Sequence, residues 1–385
     1  MDQEIEVSPF FLCPISLQLM NDPVTVSTGI TYDRQSIEKW LFSSQNNTCP
    51  VTKQLLLHDH QNLIILTPNH TLRRLIQAWC TINSSYGVQR IPTPKPPTTK
   101  TLIEKHLKEA SDSSDSPHLL FQSLRKLKTI ASESETNRRC IESAGAVEFL
   151  ASIVTKNNTS CLSSSSTTEL TETSILDDDD IEGFAFDFDV GAYDEAINIL
   201  YNLHLTEQGL KTLLNFKNGE FLDSLMRLLQ KGSYDSRTYA VFLLKSMTKV
   251  ADPSKLANLK TEFFVELVQL LKDEISKKAS KATLQTLIQV VEIGRNRVRA
   301  VESGCVQGLI ELLLDCKERK PCEMILVLLE KLCQCADGRY ELLSHACGLA
   351  IVSKKILRIS TMANDRAILC NTYSCARNGG NRCCC

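Results

Sequence analysis

Six residues near the N-terminus are of the types that ligate zinc or act as nucleophiles: Cys13, Cys49, Cys80, His58, His60 and His70. A tetrahedral structural zinc takes four Cys or His ligands, so a two-site cross-brace takes eight, commonly arriving as Cys-x-x-Cys pairs. Six ligands with no such pair do not fill two sites. Zinc is therefore not expected to hold this segment together, and Cys13 and Cys49 read as small buried hydrophobes. Further along, Cys333 and Cys335 flank Gln334 in a Leu-rich helical stretch and read as ordinary helix residues. Asn-x-Ser/Thr triplets at Asn46, Asn69, Asn83, Asn157 and Asn158 have no secretory leader to make them glycosylation acceptors, because the acidic start lacks an apolar core.

Packing and hydrogen bonds must then position whatever chemistry is present. The chain has 385 residues and is 43% hydrophobic, which suffices for real cores and excludes a collagenous or globally disordered chain. A formal net charge of −2 provides no global field toward nucleic acid or an anionic membrane. The longest clean apolar run, about Met324–Leu329, is far short of the roughly 18 residues a membrane-spanning helix needs. Sixteen cysteines in a long chain without a leader suggest reduced thiols in the cytoplasm or nucleus rather than a disulfide frame.

Most of the chain reads as helix, and the helices repeat. Leu225-Met226-Arg227-Leu228-Leu229, Leu267-Val268-Gln269-Leu270-Leu271 and Leu309-Ile310-Glu311-Leu312-Leu313 are spaced 42 residues apart, and the next step lands on Ile351-Val352. Going backward, Leu150-Ala151-Ser152-Ile153-Val154 matches at a step of 75, longer by the length of a polar stretch at 157–189. That stretch holds Ser163–Thr168 and Asp177–Asp180 and reads as a disordered acidic insertion. Its sharper reading is a docking site for a basic partner. A period near 42 marks a solenoid of two or three helices per unit. Ile141-Glu142-Ser143-Ala144-Gly145-Ala146-Val147 and Val301-Glu302-Ser303-Gly304-Cys305-Val306 recur, with the glycine expected to turn a short second helix into a long third one. This phrasing resembles armadillo repeats, assigned to 106–369. Such arrays bury a continuous core and expose an extended partner-binding surface. The basic run Gly294–Arg299 reads as a solvated loop of that array, and 370–385, with five cysteines, as a Cys-rich tail without a helical stripe. The tail departs from the armadillo pattern, as a frameshifted or alternatively spliced end would.

Residues 7–82 run Phe10-Phe11-Leu12-Cys13-Pro14-Ile15-Ser16-Leu17, then Asp22-Pro23-Val24, Thr31-Tyr32-Asp33-Arg34, a helix with Trp40, Cys49-Pro50-Val51-Thr52-Lys53, and Leu66-Thr67-Pro68-Asn69-His70-Thr71-Leu72. This segment resembles a U-box, and U-box followed by armadillo repeats resembles the plant U-box ubiquitin ligases, in particular their compact stress- and immunity-associated branch. The resemblance implies a zinc-free core in which Cys13, Asp22, Pro23, Tyr32, Asp33, Arg34 and Asn69 are structural, with Leu19, Val24, Ile37, Leu41, Leu66, Leu72, Leu75 and Ile76 as apolar filling. It implies a conjugating-enzyme contact at Ile15, Leu17, Trp40 and Pro50. It also places Lys53 where the family often has an Arg that donates to both ubiquitin and the conjugating enzyme. Lys is a point charge and lacks the planar Arg fork.

The expectation is a mainly α protein: a small α+β U-box at 7–82, a Pro/Thr-rich linker at 83–105 whose alternating Pro92, Pro94, Pro96 and Pro97 favour extended polyproline-like chain, and the armadillo solenoid. As a ligase it would need no covalent catalytic residue, no metal and no cofactor. The implied partners are a ubiquitin-conjugating enzyme, ubiquitin and a substrate protein on the armadillo surface, with a U-box-mediated homodimer as a further expectation. No nucleic acid and no transmembrane segment are expected. Cytoplasmic location follows, with nuclear or peripheral membrane sites as alternatives. The rival readings are a non-catalytic armadillo scaffold with an inactive U-box and a zinc-dependent redox or cross-brace protein.

Overall fold

Val24 and Tyr32 lie opposite one another on two short antiparallel strands, β1 (Pro23–Thr25) and β2 (Thr31–Asp33). Their β-branched and aromatic residues suit a pleated, half-buried surface. The intervening turn closes with Ile30 O accepting from Val26 N at 3.0 Å, and Gly29 takes φ +82, a left-handed value that glycine adopts at little cost. Helix α1 (Arg34–Glu38) follows directly and continues as a π-helical turn, Lys39–Ser43. Strand β3 (Thr67–Pro68) pairs with the other side of β1, giving the order β2-β1-β3. Helix α2 (His70–Ile82) is capped by Asn69, whose Oδ1 accepts from Leu72 N at 3.0 Å. The core comprises Cys13, Met20, Val24, Val26, Tyr32, Ile37, Leu41, Cys49, Leu56, Ile76, Cys80 and Ile91. Leu19, Leu66 and Leu72 pack on its edge, whereas Leu75 is exposed because the inward stripe of α2 runs through Ile76 and Cys80, one turn apart.

The structure is a computed structural model and describes residues 6–43, 46–57, 64–93, 98–112, 116–160, 181–273, 275–355 and 361–375. It divides into two compact units, 1–103 with 129–141, and 104–128 with 142–385.

Beyond α2 the described chain is helical: α3 (Lys100–Asp112), α4 (Pro117–Glu133), and then helices in threes. The triplets are α5 (Glu135–Ser143), α6 (Ala146–Ser160) and α7 (Ile181–Asn202); α8 (Glu207–Asn215), α9 (Glu220–Lys231) and α10 (Tyr234–Val250); α11 (Pro253–Leu256), α12 (Thr261–Lys272) and α13 (Lys277–Val290). Two more follow: α14 (Gly294–Glu302), α15 (Cys305–Asp315) and α16 (Arg319–Leu332); α17 (Ala336–Ser344), α18 (Gly348–Lys355) and α19 (Thr361–Cys375). The middle helices α6, α9, α12, α15 and α18 pack in succession, and so do the third helices α7, α10, α13, α16 and α19. The 42-residue step sits in the first of these ladders: Leu225, Leu267, Leu309 and Ile351 are all buried there. No unit could cover that stripe alone.

Several expectations change. Gly304, at φ +78, follows the nine-residue α14 and precedes α15, so it turns the first helix of a triplet into the second, and the long α16 comes later. Gly145 does the same between α5 and α6. The linker 83–105 carries structure on both sides of its Pro stretch: Ser84–Tyr86 form a 3-10 turn, Val88 and Ile91 pack into the U-box core, and α3 begins at Lys100, while 94–97 lie outside the described residues. Two apolar side chains there gain more by burial than a solvated polyproline path offers. Of the insertion 157–189, helix α6 takes residues up to Ser160 and α7 those from Ile181; residues 161–180 lie outside the described residues. The Cys-rich tail begins inside a helix, for α19 runs on to Cys375 and Cys370 is fully buried; 376–385 lie outside the described residues.

Candidate functional site

Two loops of the U-box are copies of one another. Cys13-Pro14-Ile15-Ser16-Leu17-Gln18 and Cys49-Pro50-Val51-Thr52-Lys53-Gln54 share Cys-Pro-x-Ser/Thr-x-Gln, 36 residues apart. Each folds the same way. Cys13 N donates to Gln18 O at 2.8 Å and Leu17 N to Cys13 O at 2.8 Å; Cys49 N donates to Gln54 O at 2.8 Å and Lys53 N to Cys49 O at 2.9 Å. A single β-bridge closes each base, Leu12 with Leu19 and Thr48 with Leu55. The fifth residue is left-handed in both, Leu17 at φ +56 and Lys53 at φ +61. Non-glycine residues enter that region at a cost, so the bonds around them hold the turns.

The cysteine sulfurs act as acceptors inside the core. Cys13 Sγ takes the Asp33 amide at 3.3 Å. Cys49 Sγ sits 3.0 Å from Tyr32 Oη and takes the Thr28 hydroxyl at 3.3 Å. Burial pushes the Cys49 thiol up, but hydrogen bonds from Thr28, Thr52 and Tyr32 outweigh it and bring the thiol down to about 6. Cys13 is likewise lowered, its burial outweighed chiefly by backbone bonds from Ser16, Asp33 and Ile15. Both are fully enclosed, so neither can serve as an accessible nucleophile. Tyr32 Oη also accepts from Val51 N at 3.3 Å, tying β2 to the second loop, and burial raises its phenol. Among the described residues no three of His, Cys, Asp or Glu cluster as metal ligands.

The polar residues singled out by sequence form a mesh. Asp33 Oδ1 accepts from Asn21 N at 2.9 Å and Asp22 N at 3.1 Å. Arg34 pairs with Asp22 at 2.5 Å, and Arg73 approaches the same carboxylate at 3.8 Å. Asn69 Nδ2 donates to Thr25 and Thr31 at 3.4 Å, and Pro23 O accepts from Asn69 N at 2.8 Å. Sequence reasoning missed Arg73, Thr25, Thr28, Thr31 and Glu38. The loop duplication was the available signal for Thr52 and Gln54.

The five candidate contact residues fall on two loops and one helix. Leu17 is 74% exposed at the first loop's tip, and Ile15 is half-buried against the core. Trp40 is also half-buried; its Nε1 donates to Thr48 O at 2.9 Å, fastening the helix to the second loop. Lys53 Nζ lies 5.4 Å from the Trp40 ring centroid, within cation–π range, and Pro50 begins that loop. Val51 and Leu55, not singled out from the sequence, are exposed on the same loop.

Twin Cys-Pro loops on a three-stranded sheet, followed by three-helix units, define a U-box and armadillo-repeat protein. The comparisons agree: the U-box domain family model matches residues 7–85, and the model of the plant U-box protein ARM repeat region matches 102–375. The chain belongs to the plant U-box family of E3 ubiquitin-protein ligases. It is 49% identical to the E3 ubiquitin-protein ligase PUB22 of Arabidopsis thaliana over 96% of this chain and 84% of that protein. It is also 49% identical to PUB23 of the same plant, over 96% of this chain and 82% of PUB23. A designed armadillo repeat protein aligns at TM-score 0.48 and 16% identity over 71% of this chain and 99% of its own. The assignment rests on the family models and relatives.

Proposed function

We propose that the U-box recruits a ubiquitin-charged conjugating enzyme through Ile15, Leu17, Trp40 and Pro50, while the armadillo units bind the protein that receives ubiquitin. The observation that carries this is the paired loop: two turns with one hydrogen-bond pattern place an exposed Leu17 and a half-buried Pro50 on separate parts of the chain, with Trp40 fastened between helix and loop. Exposed apolar side chains held by rigid backbone suit a partner surface, and a half-buried Trp is a favoured anchor. No side chain of the U-box attacks a substrate. It holds the thioester-linked ubiquitin beside an acceptor lysine, which is catalysis by proximity and orientation. Lys53 would steady that conjugate, as a point charge over Trp40. The setting is plant stress or immune signalling in the cytoplasm, by resemblance to the compact branch of the family. Among the described residues no helix is long and apolar enough to cross a membrane.

Reconstituted self-ubiquitination tests this. With a zinc-selective chelator present, the wild type should retain its rate, and Ile15→Ala or Trp40→Ala should lose roughly tenfold or more. Leu17→Ala removes an exposed side chain without opening the core, so its loss of rate separates contact from misfolding. Activity unaffected by all three variants would sink the assignment of this face, and no activity with any conjugating enzyme would favour the scaffold reading. Lys53→Arg restores a planar fork and is expected to speed ubiquitin discharge from the conjugating enzyme; an unchanged rate refutes the fork argument.

A further inference from the structure

Helices α10 and α13 pack side by side, and with the end of α7 they border an open groove of about 440 Å³. Four lysines line it: Lys245 and Lys249 one turn apart on α10, Lys278 and Lys281 one turn apart on α13. No Asp or Glu lines it, and among the described residues none of the four forms an ion pair. The chain as a whole carries a formal charge of −2, so this cluster is not a sample of a generally basic surface. Lys245 is half-buried, and burial together with Lys249 and Lys281 pushes its ammonium below the usual lysine value. An anion in the groove would relieve that repulsion.

The other lining groups narrow the kind of anion. Tyr201 stacks on Phe242 at 5.3 Å between centroids and on Tyr239 at 5.1 Å, and Tyr201 and Phe242 face the groove. Gln285 Oε1 is buried there without a hydrogen-bond partner. An open acceptor calls for a donor, and an extended peptide brings backbone N–H groups alongside its carboxylates. Nucleic-acid and phospholipid backbones bring mainly acceptors.

We infer that this groove takes an extended acidic segment of a partner protein, with its carboxylates on Lys245, Lys249, Lys278 and Lys281 and an apolar side chain on Tyr201 and Phe242. The inference rests on the armadillo units being the partner-binding part and names the chemistry of what they bind. Like charges facing the same lysines would be refused, which gives selectivity against basic segments.

The test uses the full chain and a fluorescein-labelled probe peptide, Gly-Asp-Glu-Phe-Asp-Glu-Gly, read by anisotropy. Binding is expected at about 50 mM salt and should weaken steeply by about 300 mM, where screening shortens the reach of exposed charges. Lys249→Glu with Lys281→Glu changes two exposed side chains and should weaken binding at least about tenfold with an unchanged melting temperature. Lys231→Glu with Lys354→Glu makes the same charge change outside the groove and should leave affinity within about twofold. Equal affinities in the two double variants overturn the inference. So does a groove that captures single-stranded RNA or phosphatidylserine vesicles but not the peptide. Self-ubiquitination of the same variants reports on the U-box separately: retained activity with lost or absent peptide binding bears on the groove alone.

Discussion

Glu38 is a buried carboxylate that the sequence offers no reason to notice. It accepts from Glu135 N at 3.0 Å and from the Thr136 hydroxyl at 2.7 Å at the start of α5, with Arg34 at 3.8 Å. An anion at a helix start satisfies open N–H groups. Burial nonetheless dominates and raises its carboxyl above the ordinary 4.5, despite the lowering effects of Thr136, Arg34 and the Glu135 amide. The sign follows. The folded state favours the protonated form, so the stability this group contributes is complete below 4.5 and is lost as pH rises through the folded-state value. Glu38→Gln cannot ionise. Its stability relative to wild type should therefore increase between acid and neutral pH, measured by urea unfolding at a series of pH values. A gap that stays constant would show that the carboxyl is not displaced. The inward pair Ile37 and Leu41, on α1 and the turn that continues it, was legible from spacing, but Glu38 pairs with residues almost a hundred positions away, and no local pattern encodes that.

At the scale of the helix, the first helix of each triplet must approach the end of the preceding long helix. Two solutions appear at equivalent positions, 42 residues apart. Asn296 Nδ2 donates to Val290 O at 3.0 Å and to Leu256 O at 2.8 Å, holding the turn by hydrogen bonds. Gly338 solves it by having no side chain: a Cβ there would lie 2.1 Å from Leu332 O. Gly338→Ala is expected to lower stability by about 1–3 kcal/mol, because backbone and not a flexible side chain must give way. Gly294→Ala, where a Cβ meets nothing within 4 Å, should be neutral or slightly stabilising. Equal melting temperatures for the two variants would refute the close-approach account. The repeat period and the buried Leu stripe were readable in one dimension, because each helix repeats its own pattern. Which helix of the triplet the recurring glycine precedes was misread, since a φ near +80 marks a turn without stating the lengths of the helices it joins.

For the whole molecule, sixteen cysteines, with no ligand cluster among the described residues, make a falsifiable statement about what stabilises the fold. Domains held by zinc lose their folding free energy on chelation. Here the thermal unfolding of the full chain should shift by less than about 1 °C with a zinc-selective chelator. A large downward shift would mean that metal, not the mesh around Tyr32, Asp22 and Asn69, closes the U-box. The near-neutral total charge also conceals structure: it is the sum of acidic and basic regions, and four lysines without an ion pair among the described residues share one groove within it.

From the sequence alone came the U-box motif, the 42-residue helical period and the buried Leu stripe, because local spacing and motif are properties of a string. Tertiary structure decided three other things. It made thiols into hydrogen-bond acceptors for Thr28 and Asp33. It folded two Cys-Pro segments into matching turns around left-handed residues. It gathered Lys245, Lys249, Lys278 and Lys281 over stacked aromatic rings. Each of these depends on which residues meet across tens of positions, and that is settled by packing the helices and strands against one another.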